Sequence, residues 1–268
     1  MTGDRDTASS DRRLRQTQDE DGLWADLRRL TPARIGLKRS GASLGTGPLL
    51  DLQLAHARAR DAVHEPLDEP RLAAELAALG LPVISVASAS EDRQDYLMRP
   101  DLGRRLAPNA AATFAQQVNG DGYDVVLVVT DGLSARATQM HAGPVLADVL
   151  PALRAEGWRI APLIIVRLGR VAIGDAIANA LHADCVTVLI GERPGLSAPY
   201  SMGAYLTWQP RRHTTDANRN CISNIRPEGI AYADAAIKLT YMLRALRARR
   251  LSGVQLKDDS DRLLIGRQ

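Results

Sequence analysis

Aromatic residues, cysteines and lysines are scarce in this chain, and each shortage excludes a class of function. Phe, Trp and Tyr make up 4% of the 268 residues, too few for a platform that stacks against single-stranded nucleic acid. The two cysteines form neither a disulfide framework nor a zinc site. The net charge is only +3, and its arginines are interspersed with acids, so we expect no nucleic-acid binding.

Long apolar runs are missing as well. No segment approaches the roughly 20 apolar residues that a membrane-spanning helix needs. The segment Met1–Asp21 is charged and lacks the apolar core of a secretory signal. The same segment has no hydrophobic periodicity, which predicts disorder. We therefore expect a cytoplasmic protein that does not bind a membrane.

Short apolar runs alternate with helical patterns over most of the chain. The candidate strands are Val83–Ala87, Val125–Val129, Leu163–Val166 and Val186–Ile190, with Tyr205–Trp208 as an edge strand. Helical patterns from about Val145 to Ala155 and from Ala172 to Leu181 separate the last three runs, and a closing helix runs from about Tyr232 to Arg249. This order predicts an α/β fold whose parallel sheet is covered on both faces.

The region before the first strand has a helical pattern. Trp24, Leu27 and Leu30 indicate a short amphipathic helix, and Gly80 is a plausible stop for a later one. We therefore divide the chain into a disordered segment (1–21), an N-terminal helical region (22–80) and an α/β domain (81–268). The Gly- and Ser-rich residues 39–47 lack the Gly-Lys-Ser/Thr ending of a phosphate loop, so we interpret them as a flexible connector.

Two segments have a high density of polar side chains. Gly191–Gly195 leaves an apolar strand, and Glu192 within it is either a ligand contact or half of a local ion pair with Arg193. Arg219–Gly229 combines Cys, Ser, Asn and Arg side chains with little room for core packing, which suits a surface that grips a ligand. Cys221 in this segment is either a ligand contact or a packing residue.

Two further turns have more than one interpretation. Asp131–Ala135 follows a strand and is a ligand-facing turn, a turn with Ser134 as helix N-cap, or both. Gly169–Asp175 does not match the dinucleotide fingerprint, and a plain strand-to-helix turn is favoured over a site for a polar ligand group. The five histidines show no metal-ligand spacing.

Taken together, the segments resemble the small subunit (light chain) of ethanolamine ammonia-lyase. The resemblance covers nearly the whole ordered chain and depends on the order and combination of short motifs. These are Arg34–Leu37, Leu52–Val63, Arg99–Leu106, Asp131–Ala135, Gly169–Ala172, Gly191–Gly195, Cys221–Pro227 and Ser252–Val254.

The resemblance implies more than the residues alone establish. It implies a Rossmann-like, doubly wound, mostly parallel sheet in a subunit of an adenosylcobalamin-dependent lyase. That enzyme converts ethanolamine to acetaldehyde and ammonia by a radical mechanism. Cobalamin would lie at the interface with a large catalytic subunit in a hetero-oligomer. The family's cofactor contacts match Val171, Glu192 and Cys221 here, with no catalytic residue in this chain.

Two other classes of function stay open at this point. A stand-alone nucleotide-dependent enzyme would need a phosphate loop or a dinucleotide fingerprint. A non-catalytic assembly module of a bacterial microcompartment enzyme complex would use the charged N-terminus for docking. In some family members the corresponding segment targets the enzyme to a microcompartment, but here it is polar and poorly periodic.

Overall fold

This computed structural model describes residues 22–115, 117, 120, 122–211 and 213–265, so the predicted disordered segment lies outside the described residues. The chain divides into two compact units, one up to Arg58 and one from Ala59 onwards. In the first unit, residues 22–29 are helical. Strands β1 (Arg39–Ser40) and β2 (Ser43–Leu44) form an antiparallel hairpin, so the predicted flexible connector contains a short hairpin.

A six-stranded sheet forms the centre of the second unit. Its strands are β3 (Val83–Ala87), β4 (Tyr123–Thr130), β5 (Leu163–Arg167), β6 (Ala183–Gly191), β7 (Met202–Trp208) and β8 (Arg219–Ile225). Their spatial order is β3-β5-β4-β6-β7-β8. The first four strands in this order are parallel to one another, β7 is antiparallel to β6, and β8 is antiparallel to β7. The predicted α/β class is confirmed, and the sheet is mixed.

The polar segment Arg219–Gly229, which we predicted to have little core packing, contains a strand of the sheet. Its first seven residues form β8, which pairs with β7. Ile222 and Ile225 are buried in the core, whereas Cys221 and Ser223 are exposed. Exposed Cys221, buried Ile222 and exposed Ser223 alternate as in an antiparallel strand that has one face on the core. The two buried isoleucines are enough to anchor this strand. The predicted edge strand β7 therefore lies inside the sheet, and β8 forms the edge.

Helices connect the strands, and several of them, identified below, pack on the six-stranded sheet. Their bounds are α1 (Thr46–His64), α2 (Glu69–Ala77), α3 (Arg93–Met98), α4 (Ala110–Ala115), α5 (Ala135–Ala155), α6 (Ile173–Ala180), α7 (Tyr232–Arg249) and α8 (Asp261–Ile265). Helix α2, which we grouped with the N-terminal region, packs on the sheet through Leu72 and Leu76. None of the described helices combines the length and apolarity needed to cross a membrane.

Successive side chains of β4 face opposite sides of the sheet and so belong to two separate apolar cores. Val125, Leu127 and Val129 belong to one core, together with side chains of α2, α5 and α7. Val126 and Val128 belong to the other, with side chains of α4 and α6. Successive side chains of a strand point to opposite faces, so a continuous apolar run requires helices on both faces. Each fully buried Val or Leu side chain contributes about 1.5–3 kcal/mol.

The parallel strands end at one edge of the sheet. Thr130 of β4 is in register with Val166 of β5 and Ile190 of β6. Gly191 pairs with Met202, where β7 begins, and Met202 pairs with Ile225, where β8 ends. The turns that follow β4, β5 and β6 therefore converge with one end of β7 and β8.

Candidate functional site at the carboxyl edge of the sheet

A cavity of about 510 Å³ opens at this edge. Its walls come from helix α3, from the turns after β4, β5 and β6, and from β7 and β8. The lining residues are Tyr96, Leu133, Arg170, Val171, Ile190, Gly191, Glu192, Arg193, Tyr205 and Ser223. Open α/β sheets bind ligands outside the carboxyl ends of their strands because the loops converge there. The cavity is therefore the candidate site, and two of the three residues predicted from the resemblance line it.

Glu192 follows the end of β6, and its carboxylate faces β8. It accepts hydrogen bonds from the hydroxyl of Ser223 and, at 3.1 Å, from the backbone N–H of Asn224. Among the described residues these are its side-chain hydrogen-bond partners, so the local ion pair with Arg193 is not formed. The two donors hold the carboxylate at the cavity wall, and its remaining lone pairs can accept further N–H or O–H groups.

Cys221 lies next to the cavity and contacts it through Tyr205. The two residues are directly opposite each other on β8 and β7. Desolvation raises the pKa of the Cys221 thiol and the pKa of the Tyr205 hydroxyl. Both groups therefore stay protonated near neutral pH, and a thiolate nucleophile is not favoured here.

Val171 lies on the turn that leaves β5. This turn passes through Leu168, whose φ of +56° is unusual for a bulky residue. The next residues, Arg170 and Val171, line the cavity. The backbone N–H of Arg170 donates to the Gly103 carbonyl at 2.7 Å, which fixes the turn against the segment after α3. The turn that we interpreted as a plain connection therefore forms one wall of the cavity.

The turn after β4 both caps a helix and lines the cavity. Ser134 is the N-cap of α5, and its hydroxyl accepts from the N–H of Ala137 at 3.3 Å. The N–H of Leu133 donates to the Gly191 carbonyl at 2.9 Å, which joins this turn to the end of β6. Leu133 itself lines the cavity. The segment is therefore both an N-cap turn for α5 and part of the cavity lining.

Sequence reasoning missed three of the lining side chains. Tyr96 comes from α3, outside the motifs named above, and no local pattern marks it. Tyr205 was assigned only to a strand, and Ser223 was part of the segment predicted to grip a ligand but was not singled out. A better signal for Ser223 was the alternation of Cys221 and Ser223 with buried Ile222, which is typical of a strand with one exposed face.

A second cavity, of about 470 Å³, lies at the opposite end of β7 and β8. Trp208 lines it together with the exposed side chains of Arg211, His213 and Arg250. It contains none of the residues predicted from the sequence. Within the part of the chain that the structure describes, no group of three or more His, Cys, Asp or Glu side chains is placed to hold a metal ion.

Fold and site together define a class: an α/β protein with an open cavity at the carboxyl edge of a mixed sheet. Comparison with known proteins makes the assignment specific. Residues 21–257 match the profile of the ethanolamine ammonia-lyase light chain. The chain belongs to the ethanolamine ammonia-lyase light-chain family, which confirms the resemblance stated above.

Curated relatives agree with this membership. The ethanolamine ammonia-lyase small subunit of Xanthomonas campestris pv. campestris is 54% identical over 245 residues, covering 91% of this chain and 90% of the relative. The small subunit of Azotobacter vinelandii is 53% identical over 240 residues, covering 89% of each chain. That of Ralstonia nicotianae is 52% identical over 246 residues, again covering 89% of each. These relatives are named as subunits of a lyase.

Proposed function

We propose that this chain is the cobalamin-binding small subunit of an ethanolamine ammonia-lyase. In this proposal it acts with a large catalytic subunit, and adenosylcobalamin lies at the interface between the two. The enzyme would convert ethanolamine to acetaldehyde and ammonia. The observation that carries the proposal is the cavity at the carboxyl edge, where Val171 and Glu192 both line the cavity and Cys221 lies opposite Tyr205.

The lining residues fit the chemistry of a cobalamin. Cobalamin carries peripheral amides, ribose hydroxyls and a phosphate, all of which need partners when they are buried. Glu192 can accept from amide N–H or ribose hydroxyl groups. Arg170 contributes an Nε–H that is buried and has no hydrogen-bond partner among the described residues. Val171, Leu133 and the Tyr205 ring provide apolar contact, so donors, an acceptor and apolar surface are all present.

The size of the cavity supports the need for a partner. A corrinoid with its nucleotide tail is much larger than a cavity of about 510 Å³. This chain can therefore surround only part of it, and the remaining surface has to be covered by another subunit. The chemistry supplied by bound adenosylcobalamin would be homolysis of its cobalt–carbon bond, while the residues of this chain bind and orient it.

The assignment of Glu192 is tested by cobalamin binding. We expect Glu192→Ala, assembled with the large subunit, to bind adenosylcobalamin about tenfold more weakly, because a hydrogen bond to a charged group is worth roughly 1.5–3 kcal/mol. The dissociation constant is measured by absorbance titration, and gel filtration verifies assembly.

Glu75→Ala is the matched control for that experiment. Glu75 is a glutamate on α2 that pairs with Arg71 at 2.9 Å and is remote from the cavity lining. This variant should retain the affinity of the unmodified complex. An unchanged dissociation constant for Glu192→Ala in an intact assembly would remove Glu192 from the site.

A further inference from the structure

A buried ion pair lies directly behind the cavity. Asp131 follows β4 and is 4% exposed, and its Oδ2 is 3.5 Å from Nη1 of Arg93 on α3. Burial raises the pKa of the Asp131 carboxyl, and the Arg93 guanidinium and the N–H of Leu168 oppose that rise. Neither Asp131 nor Arg93 lines the cavity. A buried ion pair is costly to desolvate, so its position next to a binding site calls for a role beyond stability.

Asp131 holds the turn that carries Val171. Its Oδ1 accepts from the backbone N–H of Leu168 at 2.7 Å. Leu168 has a φ of +56°, a left-handed conformation that costs free energy for a bulky side chain. Such a conformation persists only when its surroundings impose it. The hydrogen bond that Asp131 accepts holds Leu168 itself, while the next N–H, of Gly169, donates to the Thr130 hydroxyl at 3.1 Å. The path of the chain from Leu168 to Val171 therefore depends in part on this carboxylate.

Arg93 connects the same carboxylate to Arg170 through Tyr96. Arg93 donates to the Gly132 carbonyl at 2.7 Å, and its guanidinium carbon is 4.9 Å from the centre of the Tyr96 ring. The guanidinium carbon of Arg170 is 4.0 Å from the same ring centre, and its Nη2 donates to the Tyr96 carbonyl at 2.9 Å. The Tyr96 hydroxyl donates to the Gly169 carbonyl at 3.2 Å.

The hydrogen bond to Tyr96 uses only one of the five N–H donors of the Arg170 guanidinium. Its Nη2 is bound to Tyr96, whereas its buried Nε has no hydrogen-bond partner within the described chain. Leaving a buried donor unsatisfied costs free energy, more for a charged group, unless a ligand supplies the acceptor. Because Arg170 lines the cavity, a phosphate or carbonyl oxygen of a bound ligand can fill that role.

We propose that Asp131 is a positioning residue for this cavity: through Leu168, and through Arg93 and Tyr96, it holds Val171 and Arg170 in their ligand-binding positions. The proposal rests on the proposed function in one respect, that the ligand used to test it is cobalamin. It adds to that function a polar network, extending from Asp131 and Arg93 behind the cavity to Tyr96 and Arg170 in its lining, that sets the shape of one cavity wall.

The test compares two buried aspartates at opposite ends of β4, Asp124 inside the strand and Asp131 directly after it. Asp131→Asn keeps the size of the side chain and removes the charge opposite Arg93. Asp124→Asn is the matched control, because Asp124 is 7% exposed, pairs with Arg159 at 2.9 Å, and lies at the other end of β4. Both variants are assembled with the large subunit, and adenosylcobalamin affinity and thermal unfolding are measured for each.

We expect both variants to lower the unfolding temperature, but only Asp131→Asn to weaken cobalamin binding, by about tenfold. Hydrogen exchange of residues 168–171 should rise in Asp131→Asn and stay unchanged in Asp124→Asn. Tyr96→Phe is a milder second variant that removes only the hydroxyl bond to Gly169, and we expect it to weaken binding by a smaller factor. It keeps the proposal testable if Asp131→Asn does not fold.

Two results would overturn the proposal. One is an unchanged cobalamin affinity in Asp131→Asn and Tyr96→Phe, and the other is an equal loss of affinity in Asp124→Asn, which would show a general stability effect. Failure of the unmodified complex to bind cobalamin is a different result, because it overturns the proposed function. In that case, the exchange of residues 168–171 alone decides whether Asp131 holds the turn.

Discussion

Gly191 is the residue at which the end of β6 comes closest to the turn after β4. A Cβ at this position would overlap the Ser134 carbonyl oxygen and lie 2.5 Å from the Asp131 carbonyl oxygen. Both atoms belong to backbone, which cannot move aside as the end of a flexible side chain can. The absence of a side chain at Gly191 therefore allows two cavity walls to meet.

Replacing Gly191 should separate these walls. We expect Gly191→Ala to lower the free energy of unfolding by about 3 kcal/mol, because the added methyl group forces the backbone of the turn to shift. Gly195→Ala is the control, since a Cβ there would lie 3.6 Å from its nearest neighbour, an ordinary contact. Urea unfolding of the two variants measures the difference. Equal stability of both would contradict the close approach.

At this scale the sequence predicts the site only in part. Val171 and Glu192 follow apolar runs, so their place at a strand end can be inferred from the pattern. Their selection as cofactor contacts depends on the family resemblance, because Val171 has no distinctive chemistry of its own. Tyr96 and Asp131 cooperate through contacts between distant parts of the chain, and no spacing along the sequence shows these contacts.

Strand β4 is the element on which the sheet and the site both depend. Its middle residues form the two cores, its carboxyl end leads to Asp131, and its amino end contains Asp124. Burial alone would raise the pKa of Asp124. The backbone N–H and guanidinium of Arg159 more than offset this effect and hold the pKa below its ordinary value of 3.8.

The lowered pKa makes this contribution to stability depend on pH. A carboxyl whose pKa is lower in the folded state stabilises the fold above its unfolded pKa and loses that effect as the pH falls through its folded pKa. We expect Asp124→Asn to cost about 1–3 kcal/mol at about pH 7 and much less below about pH 3. Urea unfolding at the two pH values measures this. A cost that does not change with pH would contradict the assigned ion pair.

The elements that the sequence predicts best are those with long apolar patterns. Helix α7 spans the predicted residues, Tyr232–Arg249, and the four parallel strands contain the predicted runs. Strand β8 was missed because Ile222 and Ile225 are its only buried apolar residues, and its exposed polar residues resemble a loop. The antiparallel end of the sheet could therefore be recognised only from the three-dimensional structure.

At the scale of the whole molecule, the family and the cavity point in the same direction. The curated relatives compared above are named small subunits, and the cavity is too open and too small to enclose a cobalamin by itself. We therefore infer that this chain completes its site only in a complex. In the proposed function, its structural contribution is a shaped wall with Glu192 and Arg170, and the large subunit would supply the remaining surface.

Acetaldehyde release from ethanolamine in the presence of adenosylcobalamin tests this account most directly. The assay is run with this chain alone, with a cognate large subunit alone, and with the assembled complex. The account predicts release only from the complex. Release by the large subunit alone at the same rate, or no release from a complex that assembles, would contradict it.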